Sequence, residues 1–295
     1  MAHFKTTTTI RVLAAAAIAA VAAPFGAGPG GTAELVDLAL VIATDTSRSV
    51  DEVEARLQRD GVSAALTHPQ VLDAIRSGYH GKIAIAYIDW SSGPYTSVIV
   101  PWRIVGDAAS AQDYVRILSD APITLGQRTS ISEGLELAYK LMTDGTVEAP
   151  RRVIDVSGDG PNNHGRLVVE ARDEVVSKGI TINGLPIVNA RDQFGPGFFL
   201  KDLDNYYRGC VIGGAGAFIV VAKDFEDFAV AMRRKLIFEI SGLTPPRNSP
   251  RNTGIVPVAA NDDPQRFGSG YVYEGGCDIG ERAWRRQLDY APGFR

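Results

Sequence analysis

The stretch from Leu35 to Thr44 is almost continuously apolar, and it constrains the fold more than any other part of the sequence. Strands that are covered on both faces have this composition, and they occur in the interior of parallel sheets. The segment from Asp51 to Ala65 then carries apolar residues at helical spacing between charged ones, which is the pattern of an amphipathic helix. The folded part of the chain is therefore expected to begin with a buried strand and a helix that covers it.

The same alternation of strands and helices continues as far as Ile240. Further strands are predicted at residues 82–90, 97–105, 151–156, 180–188 and 217–222, and further helices at residues 108–119, 130–142, 167–178 and 225–240. The link over residues 91–96 is too short for a crossover helix, so the strands on either side of it should be antiparallel neighbours. The pattern predicts an α/β three-layer sandwich over residues 34–242. Its sheet should be mostly parallel, with about six strands, one antiparallel edge hairpin and helices on both faces.

The first residues have the layout of a secretory signal peptide. Lys5 and Arg11 precede a short apolar run from Val12 to Ala23, and small residues follow that run. We therefore predict a signal peptide over residues 1–27 and an exported protein, either periplasmic or extracellular. The run is too short and too rich in alanine to span a membrane, so no stable span is expected once the peptide is removed. An amphipathic or disordered N-terminus and an uncleaved anchor are the alternatives.

Charge and composition exclude one class of partner and set the C-terminal part of the chain apart. The formal net charge is −4 and no block rich in lysine and arginine occurs, so a general nucleic-acid-binding surface is not expected. Beyond Gly242, repeated prolines punctuate a polar stretch with little periodicity. Residues 243–295 are thus predicted to be an irregular extension, in which only the segment from Arg282 to Leu288 has the pattern of a short helix.

Cys210 and Cys277 are the only cysteines of the chain. In an oxidising compartment they can form a disulfide, which would tie the C-terminal extension to the core. Two independent thiols, one of them buried, are the alternative. Two cysteines without a Cys-x-x-Cys motif make a poor metal site.

Three separate pieces of sequence place oxygen-bearing side chains beside predicted strand ends and a helix start. The first strand runs into Asp45, Ser47 and Ser49, the fourth strand runs into Asp159, and Thr129 precedes the third helix. Ligands of open α/β sheets bind at the carboxyl ends of the strands. Two carboxylates and three hydroxyls, with no thiol or imidazole, suit a hard divalent cation. Mg²⁺ is expected first, with Mn²⁺ or Ca²⁺ as alternatives.

These three pieces resemble the metal-ion-dependent adhesion site of von Willebrand factor type A (VWA) domains, which have a Rossmann-like fold. The resemblance covers about residues 35–240, and it implies that the five residues named above hold a divalent metal. In such domains the hydroxyls usually touch the metal, while the aspartates act directly or through water. Stretches at residues 82–90 with Pro101-Trp102, 153–163 and 180–186 further resemble a bacterial family of exported VWA-like proteins of unknown function. The resemblance implies no particular ligand.

Two residues depart from the pattern of these domains. Arg48 lies between Ser47 and Ser49, two of the expected metal ligands. Its positive charge would weaken metal binding or steer an acidic partner. Gly158 stands where a Ser or Thr often precedes the aspartate, so the third loop is expected to be more flexible. The polar residues also have structural alternatives, because Ser49 or Asp51 would cap the first helix and Thr129 would cap the third.

Other polar and aromatic residues are interpreted as structural. Ser130 and Glu133 have the spacing of a capping box at the start of the third helix. Asn162 and Asn163 follow the third loop, where they either line the metal face or form a turn, and the turn is favoured. The pair Tyr206-Tyr207 is interpreted as packing.

Together these features predict an exported binding module that engages a protein partner, whose exposed Asp or Glu would complete the shell of the metal. A metal-dependent hydrolase is an alternative, but no general base is evident near the loops, and neither a Gly-x-Ser-x-Gly elbow nor a Walker-type loop occurs. A scaffold with a vestigial metal site is the second alternative. A carboxylate of the extension, from Asp262, Asp263 or Glu274, would inhibit the site if it reached the metal.

Overall fold

A computed structural model describes residue 1 and residues 33–188, 200–243, 255–257 and 271–290. The signal peptide predicted for residues 1–27 lies outside the described residues, apart from residue 1. No helix in the described ranges is both long enough and apolar enough to cross a membrane. From Ala33 onward, buried strands alternate with helices much as the sequence predicts.

The elements are defined by the following bounds. The strands are β1 (Glu34–Leu35), β2 (Ala39–Asp45), β3 (Ile83–Trp90), β4 (Ser97–Val105), β5 (Val147–Glu148), β6 (Arg152–Gly158), β7 (Thr181–Pro186), β8 (Phe218–Val220) and β9 (Ile255–Pro257). The helices are α1 (Glu52–Leu66), α2 (Pro69–Arg76), α3 (Ala108–Asp120), α4 (Ile131–Met142), α5 (Val168–Ser177), α6 (Leu203–Tyr206), α7 (Phe228–Ser241) and α8 (Ile279–Tyr290). A short π-helical segment, Tyr207–Val211, directly follows α6.

The main sheet has seven strands in the order β4-β3-β2-β6-β7-β8-β9. The strands from β3 to β8 in this order are parallel to one another. β4 is antiparallel to β3 at one edge, as the short link between them predicts. The predicted α/β sandwich is therefore confirmed, and β9 adds a short antiparallel strand at the other edge. β1 and β5 form a separate parallel pair.

β2 lies in the middle of the sheet, and all seven of its residues are buried. Successive side chains of a strand point to opposite faces. Leu40 and Ile42 accordingly pack in the layer that contains α1 and α7, whereas Val41 and Ala43 pack in the layer that contains α4 and α5. Because both faces are covered, the strand is apolar without alternation, and it carries its last residue, Asp45, to the carboxyl edge of the sheet.

The apolar stretch from Leu35 to Thr44 is not the single strand that its composition predicts. Asp37 lies between β1 and β2, and its carboxylate accepts hydrogen bonds from the backbone amides of His80 (2.9 Å) and Lys82 (3.3 Å). These bonds hold the turn that precedes β3 and interrupt the first strand. The structure also contains α2 and β5, which lie in segments where the sequence predicts no element.

The predicted capping box at the start of α4 is only half formed. Ser130 accepts a hydrogen bond from the amide of Glu133, but the carboxylate of Glu133 accepts one from the amide of Gly93 (2.6 Å) instead of returning to Ser130. The C-terminal extension also has more regular structure than predicted. It contributes β9, and α8 begins three residues before the predicted Arg282.

A buried cluster of charges lies between β6 and α7. The ammonium group of Lys235 is 2.8 Å from a carboxylate oxygen of Asp155 and also pairs with Glu239, and all three side chains are fully buried. Asn183 donates a further hydrogen bond to Glu239 (2.8 Å). Burial and then the negative charge of Glu239 raise the pKa of Asp155 to about 7, against the opposing effect of Lys235. One cation thus compensates two acids inside the protein.

We expect Lys235→Met to lower the free energy of unfolding by about 3–5 kcal/mol, because two buried acids would lose the cation that compensates them. Urea unfolding followed by circular dichroism measures the change. Lys140→Met is the matched control, since Lys140 is exposed on α4 and its replacement should shift the free energy by less than about 0.5 kcal/mol. Equal losses in the two variants would show that Lys235 has no special role.

The raised pKa of Asp155 also predicts how stability depends on pH. Between the ordinary pKa of 3.8 and the folded-state pKa of about 7, the folded protein keeps a proton that the unfolded chain has released. The free energy of unfolding therefore falls as the pH rises through this window. Asp155→Asn lacks this contribution, so its stability should decrease less over the same range. Urea titrations across the window compare the two slopes, and identical slopes would contradict the assignment.

Candidate metal centre

The first loop of the predicted site begins where β2 ends. Asp45 is the last residue of β2, and its side chain is completely buried. Its Oδ1 accepts a hydrogen bond from the amide of Ser47 (2.7 Å). Its Oδ2 is buried and has no partner with hydrogen-bond geometry among the described residues. A buried carboxylate oxygen without a partner is costly, so a cation beside it would be stabilising.

The other predicted ligands form a connected chain next to Asp45. The hydroxyl of Ser47 is 3.2 Å from that of Ser49 and 3.3 Å from that of Thr129. The hydroxyl of Ser49 donates to Oδ1 of Asp159 at 2.6 Å. The structure therefore brings all five sequence-predicted residues together at the carboxyl edge of the sheet, from three separate loops.

The helix caps beside the site are formed by other residues. Asp51 caps α1 by accepting from the amide of Glu54 (2.8 Å), and the Glu54 carboxylate accepts in return from the amide of Asp51 (3.0 Å). Ser130 is the N-cap of α4. The alternative in which Ser49 and Thr129 act as helix caps is thus wrong, and their hydroxyls take part in the cluster around Asp45.

Two asparagines that follow the third loop hold the second loop in place. The side-chain oxygen of Asn163 accepts hydrogen bonds from the amide of Thr129 (3.0 Å) and from Nε of Arg128 (3.1 Å). The amide of Asn163 donates to the Thr129 carbonyl (2.8 Å), and the side chain of Asn162 accepts from the amide of Ser132 (3.1 Å). The sequence-based interpretation of Asn162 and Asn163 as turn residues does not predict these hydrogen bonds between the second and third loops. Their one signal in the sequence is their position directly after the third loop.

Both carboxyl groups of the site are harder to ionise than ordinary aspartates. Burial, and then the negative charge of Asp159, raise the pKa of Asp45 well above 3.8. Burial also raises the pKa of Asp159 to about 6, although the hydrogen bond from Ser49 opposes this shift. A divalent cation between two such acids would favour their ionised forms.

The donor set fits a hard divalent cation. Two carboxylates supply roughly the charge that balances the ion, and the three hydroxyls add neutral oxygens of the kind that Mg²⁺, Mn²⁺ and Ca²⁺ accept. In the described part of the chain, no group of three or more His, Cys, Asp or Glu side chains could hold a metal ion. At this edge the three hydroxyls would supply the further oxygen donors, and a six-coordinate ion held by all five residues would keep one position for an outside ligand.

Comparison with known proteins assigns the chain to a family. The family described as "Protein of unknown function (DUF1194)" matches residues 35–244, which is most of the chain. The chain belongs to the DUF1194 family. No curated protein is similar enough in sequence to count as a relative.

Several solved structures share the fold of this DUF1194 protein. The pilus adhesin SpaC from Lactobacillus rhamnosus GG is 15% identical, with a TM-score of 0.53 over 70% of this chain and 30% of that chain. Proximal thread matrix protein 1 from the mussel byssus, with a zinc-occupied MIDAS motif, is 13% identical. Its TM-score is 0.50, and the match covers 71% of this chain and 49% of that chain. A von Willebrand factor type A protein from Catenulispora acidiphila is 14% identical. Its TM-score is 0.48, and the match covers 70% of this chain and 43% of that chain. The chain spans less than half the length of each. The likeness to the first two is one of fold, and the MIDAS motif in the second is the kind of site on which the resemblance to VWA domains is based.

Gly158 of the DUF1194 protein is required by packing. It is buried at the end of β6, and a Cβ atom there would lie 2.8 Å from Oδ2 of Asp45, 2.9 Å from Cζ2 of Trp90 and 2.9 Å from the Tyr207 hydroxyl. The absence of a side chain at position 158 thus has a packing reason, and the expected flexibility of the third loop stays a prediction. Tyr207 is completely buried. Its hydroxyl occupies part of the space that a side chain at position 158 would need.

We expect Gly158→Ala to lower the free energy of unfolding by about 1–3 kcal/mol, because the added methyl group would crowd three neighbours. Gly160→Ala is the matched control, since a Cβ at Gly160 would meet its nearest neighbour, Thr129, at 3.9 Å. Adding Tyr207→Phe to Gly158→Ala should recover part of the loss by removing one of the crowded atoms. Thermal and urea unfolding of the variants measure the effect. Equal stability of the two alanine variants would contradict this account of Gly158.

Proposed function

We propose that this protein is an exported, metal-ion-dependent binding module that engages a protein partner through an acidic residue. One observation carries the proposal. Oδ2 of Asp45 is buried without a hydrogen-bond partner among the described residues, beside the hydroxyl chain of Ser47, Ser49 and Thr129. A cation beside this atom would offset the cost of burying it, and the hydroxyl neighbours would supply further oxygens without adding charge.

The division of roles within the site follows from its charges. Asp45 and Asp159 would hold the cation together with the three hydroxyls, and Mg²⁺ is the ion that we expect first. When bound, the ion supplies an electrophilic position for an oxygen donor from outside the chain. Because two acids barely neutralise a divalent ion and hydroxyls contribute no charge, a carboxylate of a partner remains a favourable additional ligand. An exposed Asp or Glu on a protein partner would provide it.

The structural neighbours support an adhesion-type module. A pilus adhesin and a byssal thread matrix protein share this fold, and the second carries a zinc-occupied MIDAS motif. These likenesses are in fold alone and indicate no partner. The zinc-occupied MIDAS motif of the second neighbour supports the proposal of a divalent metal at the strand ends of this protein.

Two further features support export. The basic and apolar layout of residues 1–27 is that of a signal peptide. Cys210 and Cys277 form a disulfide in the structure, with their Cα atoms 5.5 Å apart. Disulfides persist in oxidising compartments such as the periplasm and the cell exterior, which agrees with a periplasmic or extracellular location.

The first test is direct binding of Mg²⁺, Mn²⁺ and Ca²⁺ by calorimetry. We expect saturable heat with the wild type, no specific heat with Asp45→Asn, and an unchanged response with Asp113→Asn, whose side chain is exposed on α3. Bound metal should also raise the Tm of the wild type, since ligands that bind only the folded state stabilise it, and chelation should reverse the rise. A wild type that gives neither heat nor a Tm shift would indicate a scaffold with a vestigial site.

The second test identifies the partner and its dependence on metal. Affinity capture from an envelope extract with Mg²⁺ should retain a partner that is lost in excess chelator and with Asp45→Asn as bait. A partner retained equally under all three conditions would rule out the proposed mode of engagement. A screen for phosphoester hydrolysis by wild type and Asp45→Asn tests the hydrolase alternative. Turnover by the wild type that is lost in Asp45→Asn would favour that alternative.

A further inference from the structure

The C-terminal helix α8 lies against the loops that hold the metal donors. The disulfide between Cys210 and Cys277 attaches the residue two positions before α8 to the π-helical segment of the core. α8 is therefore tethered at its start. Its position is fixed covalently as well as by packing, although it belongs to an extension that the sequence predicts to be largely irregular.

Three contacts seat α8 on the second and third loops. The carboxylate of Glu281 accepts a hydrogen bond from the side-chain amide of Asn162 (2.8 Å). The backbone at Gly280 is so close to the Asn162 carbonyl that any Cβ there would overlap it. The guanidinium of Arg128 stacks on the ring of Trp284, 3.6 Å from its centroid, a favourable cation–π geometry. Arg128 directly precedes Thr129, and Asn162 follows Asp159 by three residues, so α8 contacts the same two loops that carry these donors.

A cavity of about 350 Å³ lies between the metal loops and α8. Its lining includes Ser49, Thr129 and Asp159 from the metal loops and Trp284 and Arg286 from α8. The volume is at the lower end of the range for small-molecule pockets, roughly 300–1,000 Å³. A stable protein interface buries about 800 Å² of surface on each partner. A broad flat protein surface could not enter this cavity, and so could not bury that area within it.

Two arginines from different elements line the cavity. Arg48 comes from the first loop and Arg286 from α8, and both side chains are exposed. Arginine binds carboxylates with paired hydrogen bonds. Apolar atoms of Ile279, Ala283 and Trp284 complete the α8 wall. The lining of the cavity therefore combines oxygen donors for a cation, two positive charges and apolar side chains.

We propose that α8 forms the second half of the ligand site, and that the site takes a slender ligand with two carboxylates. One carboxylate would complete the metal shell, and the other would meet Arg286 and Arg48. This inference rests on the proposed function and narrows its ligand. An extended acidic peptide segment and a small free dicarboxylate share this chemistry, whereas a broad folded surface is excluded by α8.

The test uses the full mature chain with Mg²⁺ and two probes, glutarate and a blocked Gly-Asp-Asp-Gly peptide, by calorimetry. We expect at least one probe to bind wild type, and Arg286→Ala to weaken that probe about tenfold, the cost of one lost charged hydrogen bond. Arg285→Ala is the matched control, because Arg285 is an exposed neighbour on α8 outside the lining of the cavity. It should change the affinity by less than about twofold. Mg²⁺ affinity should be the same in all three proteins.

A second variant tests the seating of α8 independently of charge. Gly280→Leu should push α8 away from the Asn162 carbonyl, so probe binding should be lost while Mg²⁺ binding is retained. Binding by glutarate alone, by the peptide alone or by both supports the proposal and identifies the source of the ligand. Mg²⁺ binding with no probe binding, or equal probe affinity in wild type, Arg286→Ala and Gly280→Leu, overturns this inference alone. Absence of Mg²⁺ binding by wild type overturns the proposed function and this inference together.

Discussion

The buried carboxylate of Asp45 is the interaction on which the rest of the site depends. Removing an ionised carboxylate from water costs several kcal/mol unless it is paired, yet β2 ends with this side chain fully buried. The amide of Ser47 offsets part of that cost at one oxygen. The remainder favours a cation, which would relieve both the burial penalty and the repulsion from Asp159. The burial of Asp45 is thus the feature of the fold that most supports the proposed metal site.

The loops that carry the donors are also the loops on which α8 rests. Arg128 precedes Thr129 and stacks on Trp284, while Asn162 follows the Asp159 loop and bonds to α8. Both loops therefore contact α8 through residues close to the proposed metal donors. A ligand held between the loops and α8 would stabilise the docked helix, because a binding free energy that depends on the position of α8 acts in both directions.

Features encoded by contiguous residues were predictable from the sequence, and features that depend on distant contacts were not. The strands, the β3–β4 hairpin and the clustering of the site residues follow from apolar runs and from the common edge at which parallel strands end. The interruption of the first strand by Asp37 depends on amides more than forty residues away. The need for glycine at position 158 arises from Tyr207, in a different segment. The position of α8 depends on Cys277 and on side chains that share no local pattern with it.

The π-helical segment Tyr207–Val211 connects the parts of the site that the sequence left separate. Its first residue, Tyr207, lies beneath the site, where its hydroxyl and Oδ2 of Asp45 both crowd Gly158. Its fourth residue, Cys210, is bonded to Cys277 and tethers α8. In an α-helix, residues three apart lie on nearly the same face, whereas the wider π turn separates their directions, and such turns are frequent at functional sites. One short segment thereby places Tyr207 close to the Asp45 carboxylate and, three residues later, joins Cys210 to the residue two positions before α8. The disulfide and the packing around Asp45 are thus linked through four residues of backbone.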